Sequence, residues 1–204
     1  MRRLELISGN KAKKKYAPKP YEQMTRPGQR IQMDVKVVPL RCRAGEAPRL
    51  YQYTAIDECT RLRCLGAYDE QSTFSSADFA QKSISFFRWH GITVECIQTD
   101  NGFEFTNRFS SIKREKPTLF ESSLSGLGIK HKLIRPYTPR HNGKVERSHR
   151  EDQKRLYSRG SFYSLSDFRA QLSRHQYHSN NLPMRPLNWL SPIQFLNSLT
   201  VQYV

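Results

Sequence analysis

Acidic residues and long apolar runs are both scarce in this chain of 204 residues. Lys and Arg number 34 against 18 Asp and Glu, which gives a formal net charge of +16. No segment approaches the roughly 18 apolar residues that a membrane span needs, and no apolar stretch follows the basic N-terminus as in a signal peptide. We therefore expect a soluble, cytoplasmic protein without membrane contact. The charge favours a polyanionic partner such as nucleic acid, with a merely basic surface or ribosome association as the alternative.

Cysteines are few and are not arranged for metal binding. None of the four forms a C-x-x-C pair, and no His pair stands at zinc-finger spacing beside Cys42, Cys59, Cys64 and Cys96. We predict free, buried thiols in a reducing compartment, with a zinc site as the alternative.

The first 30 residues differ in composition from the remainder. They contain nine Lys and Arg against two Glu, with prolines at 18, 20 and 27 and little apolar periodicity. We predict a flexible basic arm over residues 1–28, with a solvated tail that makes no specific contact as the alternative. Residues 29–204 are long enough for one α/β domain that ends in a helical tail.

Apolar residues alternate with polar ones from Arg30 to Val38, which predicts a strand with Asp34 on its polar face. Further strands are predicted over 50–56 and 61–68, and short connections make the three an antiparallel meander. A helix capped by Ser75 or Ser76 runs to Gly91, and a fourth strand over 93–99 ends at Asp100-Asn-Gly. This order describes an α/β sheet with a crossover helix.

Weaker patterns follow. We predict short helices over 105–111 and 119–127, a strand over 129–134 and a loop over 135–143. A polar helix is predicted over 144–157, followed by a helix capped by Ser166 that runs to 179 and turns Phe168, Leu172 and Tyr177 to a core. Residues 181–204 are expected to pack on the domain.

Three acidic residues stand in distinctive contexts: Gln32-Met-Asp34, Gln98-Thr-Asp-Asn-Gly-Phe-Glu-Phe105, and Pro136-Tyr-Thr-Pro-Arg-His-Asn-Gly-Lys-Val-Glu-Arg147. Together they resemble the integrase-like catalytic core of DDE-type insertion-sequence transposases over about residues 26–196. The resemblance implies a ribonuclease-H-like fold, with a mixed sheet of about five strands and helices on both faces. It maps the catalytic triad onto Asp34, Asp100 and Glu146.

Phosphoryl transfer gives an independent reason to group these acids. The reaction needs an activated oxygen nucleophile, a stabilised leaving oxygen and neutralisation of the phosphate charge, and two Mg²⁺ or Mn²⁺ ions supply all three. Such hard cations take carboxylate oxygens as ligands, so we expect Asp34, Asp100 and Glu146 to hold them. Taken alone, Asp34 would be an ordinary residue on the polar face of a strand, Asp100 a turn former and Glu146 a residue on a helix surface.

The spacing of the third acid departs from the resembled family. Its members usually leave about 35 residues between the second and third acids, whereas 45 separate Asp100 from Glu146. We expect the excess to form a surface loop around 112–120, which can lengthen at little thermodynamic cost. Rival third acids are Glu104, Glu115 and Glu121. Of these, we expect Glu104 to support the Asp100 turn.

Basic residues are dense around Glu146. Arg150 and Lys154 share its helical face, and we predict DNA contacts from Arg140, Asn142, Lys144, Arg147, Arg150 and Lys154. The alternatives are a solvated helix face for the cations and a turn-shaping or capping role for Asn142. A lone loop histidine such as His141 more often has no catalytic role. Asp57 matches an acid of the resembled family that is not a metal ligand, so we assign it to turn stabilisation, with metal binding as the alternative.

The resemblance implies DNA as partner, both element ends and target, and a homo-oligomer on that DNA at the bacterial nucleoid. Two other functions compete with strand transfer: hydrolysis alone by a ribonuclease-H-like nuclease, and a catalytically silent, basic DNA-binding remnant of a transposase. The resembled transposases carry a helix-turn-helix region before the core. The residues before Ile31 are too few for it, so we expect a fragment, a separately translated frame or a truncated copy.

Overall fold

The computed structural model describes residues 22–45, 47–108, 116–135 and 139–201, without the side chains at 139, 140, 200 and 201. Most of the predicted arm therefore lies outside the described residues. The strands are β1 (Ile31–Val37), β2 (Tyr51–Asp57), β3 (Arg63–Tyr68), β4 (Cys96–Thr99) and β5 (Lys130–Leu133). The α-helices are α1 (Thr73–Trp89), α2 (Leu119–Gly126), α3 (Gly143–Arg155), α4 (Leu165–Asn180) and α5 (Pro192–Val201). Short 3₁₀ turns cover Leu40–Cys42, Pro139–Asn142 and Arg185–Leu187.

The five strands form one mixed sheet in the order β3-β2-β1-β4-β5. The first three pair antiparallel, as the predicted meander requires, and β4 and β5 add in parallel. Helix α1 is the connection that crosses from the meander to β4. The predicted mixed sheet of five strands is confirmed.

The alternation in β1 directs its side chains to two different layers. Ile31 and Met33 have no exposed surface and join a core with Phe79 and Phe87 of α1, to which Leu196 of α5 also belongs. A second core lies under α3 and α4 and contains Val38, Cys42, Leu50, Ala67, Leu156, Tyr157, Phe162, Phe168 and Leu172. Helices thus cover both faces of the sheet. The polar side of β1 faces α3.

Several predicted boundaries are wrong by a few residues. Helix α1 is capped by Ser72 rather than Ser75 or Ser76, because the Ser72 hydroxyl accepts the Ser75 backbone N–H at 3.1 Å. Helix α4 is capped by Ser164 rather than Ser166, through the Asp167 N–H at 3.1 Å. The fourth strand begins at residue 96 instead of 93.

The helix predicted over 105–111 is absent from its described part, residues 105–108. The backbone N–H groups of Phe105 and Thr106 both donate to the Gly102 carbonyl, which closes a turn. The Phe105 ring packs on Phe120, with centroids 5.1 Å apart, so its burial reflects tertiary contact rather than helical periodicity. Residues 109–115, which include the first four residues of the predicted surface loop, lie outside the described residues. Residues 119 and 120 already belong to α2.

Residues 181–199 pack on the domain as predicted, since Leu187 and Leu196 are buried. Tyr177 was expected to reach a core but is 76% exposed. All four cysteines are free thiols, of which Cys42, Cys64 and Cys96 are buried. Within the described ranges, no helix is both long and apolar enough to cross a membrane.

Candidate active site

Asp34 and Asp100 come from neighbouring parallel strands. β1 and β4 pair with Gln32 opposite Gln98. Extending that register by two residues brings Asp34 level with Asp100, which directly follows β4. Because side chains two apart in a strand share a face, both aspartates lie on the side of the sheet that carries α3.

A tight turn fixes Asp100. Its Oδ1 accepts the Gly102 N–H at 2.9 Å, and the Asn101 side chain donates to the Ile134 carbonyl at 3.1 Å. A Cβ on residue 102 would lie 2.6 Å from a carboxylate oxygen of Glu104, so a larger residue would displace that carboxylate. The Asp-Asn-Gly sequence therefore serves to hold the Asp100 backbone, as the breaker pattern indicated.

Glu104 lies beneath that turn and is 3% exposed. One of its oxygens accepts the Gln71 side-chain N–H at 2.8 Å, and the other is buried with no hydrogen-bond partner. Burial raises the pKa of Glu104, and the nearby charge of Asp100 adds to this effect. Its contact with Gly102 agrees with the supporting role predicted for it. Glu121, another rival third acid, is engaged in the capping box of α2 with Thr118, and Glu115 lies outside the described residues.

Glu146 is in the first turn of α3 and is half-buried. α3 crosses the polar face of β1 and β2, with Val145 and Asp152 fully buried against the sheet. The residue predicted as third acid therefore enters the same region as the two aspartates, despite the longer spacing.

A set of side-chain amides holds the start of α3. Gln32 and Gln98 both donate to the His141 carbonyl, at 2.9 and 2.7 Å. The Gln32 Oε1 accepts the backbone N–H groups of Lys144 and Val145 at 3.0 and 3.1 Å. Gln32 thereby satisfies donors that a helix start otherwise leaves without intrahelical partners.

The buried carboxylate of Glu58 supports the same helix start. It has no exposed side-chain surface and accepts the Arg30 Nε at 2.6 Å, the Gln32 Nε2 at 2.8 Å and the Lys144 Nζ at 3.0 Å. A buried carboxylate is stable only when paired and hydrogen-bonded in this way. Our sequence interpretation missed these residues. The available signal was a glutamine two positions before each aspartate.

Asp34 experiences the combined field of the acidic side chains. Burial, followed by the charge of Asp100, raises the pKa of Asp34 to about 7. A hydrogen bond from the Val35 backbone lowers this pKa, and the charges of Glu104 and Glu146 add smaller increases. In the described part of the chain, no group of three or more His, Cys, Asp or Glu side chains is arranged to hold a metal ion. The carboxylates thus share one electrostatic environment without forming a ligand cage.

His149, one turn beyond Glu146, contacts Asp34. Its Nδ1 is 3.5 Å from Asp34 Oδ2, and its Nε2 is 3.1 Å from the Thr54 hydroxyl. Burial lowers the pKa of His149 to about 4, so the ring is neutral at physiological pH. The Thr54 hydroxyl also accepts an N–H from Gln52 at 3.0 Å, so His149 is connected to β2 as well as to Asp34.

The far end of α3 is fixed by a second buried network. Asp152 has no exposed surface and accepts hydrogen bonds from Arg63, His175 and Gln52, each at 2.7 Å. Burial alone would raise the pKa of Asp152, but the hydrogen bonds and the Arg63 charge outweigh it and hold that pKa well below its ordinary value. Since Arg63 is in β3 and His175 in α4, this network ties α3 to both elements.

Asp57 stabilises a turn, as predicted. It has no exposed surface, and its carboxylate accepts the N–H groups of Gly28 at 2.9 Å and Thr60 at 2.7 Å. These bonds join the residues before β1 to the turn after β2.

The predicted DNA contacts divide into exposed and internal residues. Arg147, Arg150 and Lys154 are exposed on α3. Lys144 instead bonds internally to Glu58, and Asn142 is 2% exposed with no capping bond from its side chain. Gln32 provides the helix cap and Glu58 the charge partner of Lys144, and the DNA contacts of Lys144 and Asn142 stay predictions. The side chain of Arg140 is outside the described residues.

Two family models, both described as "Integrase core domain", match this chain over residues 24–139 and 127–192. The chain belongs to the integrase core domain family. A similar protein is the "Putative integrase ORF3" of Spiroplasma virus SpV1-C74, 33% identical over 176 residues. The match covers 84% of this chain and 48% of the viral protein, so the chain spans about half the length of that relative.

Solved integrase structures share the fold. The catalytic core domain of BIV integrase is matched with a TM-score of 0.59 at 22% identity, over 87% of this chain and 99% of that one. The HTLV-2 integrase catalytic core domain in complex with magnesium, in its dimeric form, gives 0.56 at 14% identity, over 86% and 99%. A chain of the simian T-cell lymphotropic virus intasome with the PP2A regulatory subunit B56 gamma gives 0.65 at 17% identity, over 86% and 56%. Integrase cores have the ribonuclease-H-like fold, which confirms the predicted fold class.

Proposed function

We propose that this chain is the catalytic core of a DDE-type transposase or integrase, a polynucleotidyl transferase that cleaves DNA and joins the freed 3′ end to a target. The observation that carries the proposal is the placement of one acid on each of three elements that pack together, although the three side chains are not grouped as metal ligands. Asp34 lies within β1, Asp100 follows the adjacent β4, and Glu146 begins the helix that crosses them. The charges of Asp100 and Glu146 both raise the pKa of Asp34, so the three carboxylates interact electrostatically.

We infer that Asp34, Asp100 and Glu146 would hold two divalent ions, Mg²⁺ or Mn²⁺. The donor set suits these ions in its chemistry, because all three side chains supply carboxylate oxygens and the charges of Asp100 and Glu146 raise the pKa of Asp34. When bound, such ions activate the attacking oxygen, stabilise the leaving oxygen and neutralise the phosphate. The HTLV-2 core is described in complex with magnesium, which supports the same cofactor class here.

The chain's own groups have separate tasks in this scheme. Asp34 is held between the sheet and His149, whose Nδ1 faces its Oδ2 and limits its rotation. Arg147 and Arg150 extend from the exposed side of α3, where they can bind phosphates near Glu146 without reading sequence.

DNA, as both element ends and target, is the partner that the net charge of +16 favours. We propose that the protein acts as a homo-oligomer on that DNA. The solved relatives include an intasome and dimeric and trimeric forms of a catalytic core, and these support the proposal.

Two assays test the function. The first measures Mn²⁺-dependent nicking of supercoiled plasmid, and the second measures joining of an oligonucleotide, taken from inverted repeats flanking the gene, to that plasmid. Asp34→Asn, Asp100→Asn and Glu146→Gln should each abolish both activities. Asp69→Asn is the matched control, because Asp69 is an exposed aspartate.

The outcomes separate the competing functions. Nicking without joining would identify a ribonuclease-H-like nuclease. DNA binding without either activity would identify a silent DNA-binding remnant. Activity of Asp34→Asn or Asp100→Asn near the wild-type rate would refute the assignment of the site.

A further inference from the structure

We infer that Gln32 and Gln98 are positioning residues, a paired clamp that fixes the start of α3 and therefore the location of Glu146 relative to Asp34 and Asp100. The inference rests on the proposed function, because it assigns the clamp a purpose in assembling that site. Both glutamines are buried, so they act through α3 and do not touch DNA.

The sheet register makes the clamp symmetrical. Gln32 and Gln98 are directly opposite each other in the β1–β4 pair, and each precedes its aspartate by two residues on the same strand face. Both side chains donate to one acceptor, the His141 carbonyl. A single point just before α3 is thus tied to both strands that carry the aspartates.

Gln32 also provides the cap that α3 lacks from its own sequence. Asn142 stands at the capping position, yet its side chain makes no capping hydrogen bond and its Oδ1 is buried without a partner. The Gln32 oxygen accepts the first free N–H groups of the helix, from Lys144 and Val145, instead. Since Glu146 is the next residue, the cap and the third acid belong to one rigid turn.

Glu58 orients the Gln32 amide. A carboxylate can only accept, so the Glu58 Oε1 at 2.8 Å requires the NH₂ group on its side, which leaves the oxygen for the helix. A flipped amide would put NH₂ against the two backbone N–H donors and oxygen against the Glu58 and His141 acceptors. Because Gln32 is fully buried, that arrangement would leave several polar groups unpaired, which is costly.

Loss of the clamp should change the reaction rate in a way that a general loss of stability would not. A shift of about 1 Å in a catalytic group can lower a rate about 100-fold. A helix start released from β1 and β4 would move Glu146 while leaving Asp34 and Asp100 in their strands. We therefore expect weaker use of divalent metal, with DNA affinity unchanged.

The test compares Gln32→Met and Gln98→Met, which keep side-chain length but remove the amide. Gln176→Met is the matched control, since Gln176 binds a backbone N–H of β3 far from the α3 start. We expect the nicking rate to fall about 10- to 100-fold in the clamp variants. The Mn²⁺ concentration for half-maximal nicking should rise in both, and amide hydrogen exchange at Lys144 and Val145 should accelerate most in Gln32→Met, which also removes the cap. Gln176→Met should lose stability but keep the wild-type Mn²⁺ dependence and the wild-type hydrogen exchange at Lys144 and Val145.

The results distinguish this inference from the proposed function. If Asp34→Asn abolishes nicking while both clamp variants keep wild-type metal dependence and hydrogen exchange, the clamp is wrong and the active site stands. If Asp34→Asn remains active, the active site itself is wrong. Should Gln32→Met fail to fold, Gln98→Met decides alone, because it removes one side of the clamp and leaves the cap.

Discussion

Replacing Asp34 by Asn should stabilise the metal-free protein, because the fold destabilises the charge on this carboxylate. Its pKa is raised from 3.8 to about 7, so the folded state binds the proton more tightly than the unfolded state does. Stability contributed by this group is therefore present at low pH and is lost as pH rises from about 4 to 7. At about 1.4 kcal/mol per pKa unit, the charged form costs about 4 kcal/mol at pH 8.

The amide of the variant carries no such charge, so Asp34→Asn should raise the melting temperature at pH 8 in EDTA. With about 2–4 °C per kcal/mol for a domain of this size, the gain should be about 8–16 °C. At pH 4 the gain in free energy of unfolding should be below about 1 kcal/mol, since the wild-type carboxyl is then protonated in the folded state. Added Mg²⁺ should stabilise the wild type and have little effect on the variant.

Differential scanning calorimetry at pH 4 and pH 8, with EDTA or Mg²⁺, measures each of these differences. Asp69→Asn removes an exposed charge and should change the melting temperature little at either pH. An Asp34→Asn variant no more stable than wild type at pH 8 would refute the electrostatic argument. Equal stabilisation of the wild type and Asp34→Asn by Mg²⁺ would show that Asp34 does not bind the metal.

Three further predictions concern charge. Asp152→Ala leaves a buried guanidinium unpaired and should cost about 3–5 kcal/mol in urea unfolding, whereas Glu151→Ala, at a half-buried surface pair, should cost under about 1 kcal/mol. Arg150→Gln should reduce the slope of log affinity for DNA against log salt by about 0.9. Lys144→Gln should mainly lower stability, because the Lys144 ammonium is bound internally to Glu58. Deleting residues 1–20 should flatten the same slope. An unchanged slope would exclude the arm from the interface.

Residues whose role depends on local pattern were predictable from the sequence. The alternation in β1 gave both the strand and the face on which Asp34 lies, and the absence of breakers after Gly143 gave α3. Helix starts were less accurate where several serines compete. Around Ser72 and Ser75 each hydroxyl is a plausible cap, and the choice depends on how the first turn docks: the Thr73 hydroxyl accepts the Phe120 N–H of α2 at 3.1 Å.

Residues whose role depends on a distant partner were not predictable in the same way. Lys144 lies in a basic segment and was assigned to DNA, yet its ammonium bonds to Glu58, 86 positions earlier in the chain. Composition gives the sign of a charge but not the group that neutralises it. For the same reason Asn142 was treated as a cap or a DNA contact, although Gln32 performs the capping from another element.

The buried polar groups around α3 explain how a helix with so few apolar residues is held in a defined position. Apolar contact alone permits a helix to slide or rotate on a sheet at modest cost, because dispersion and burial are not directional. Hydrogen bonds from Gln32 at the start of α3 and to Asp152 near its end are directional, and a shift would leave buried donors or acceptors unpaired. The two networks therefore restrict both the sliding and the rotation of the helix that carries Glu146. Such restriction is what a site assembled from three separate elements requires.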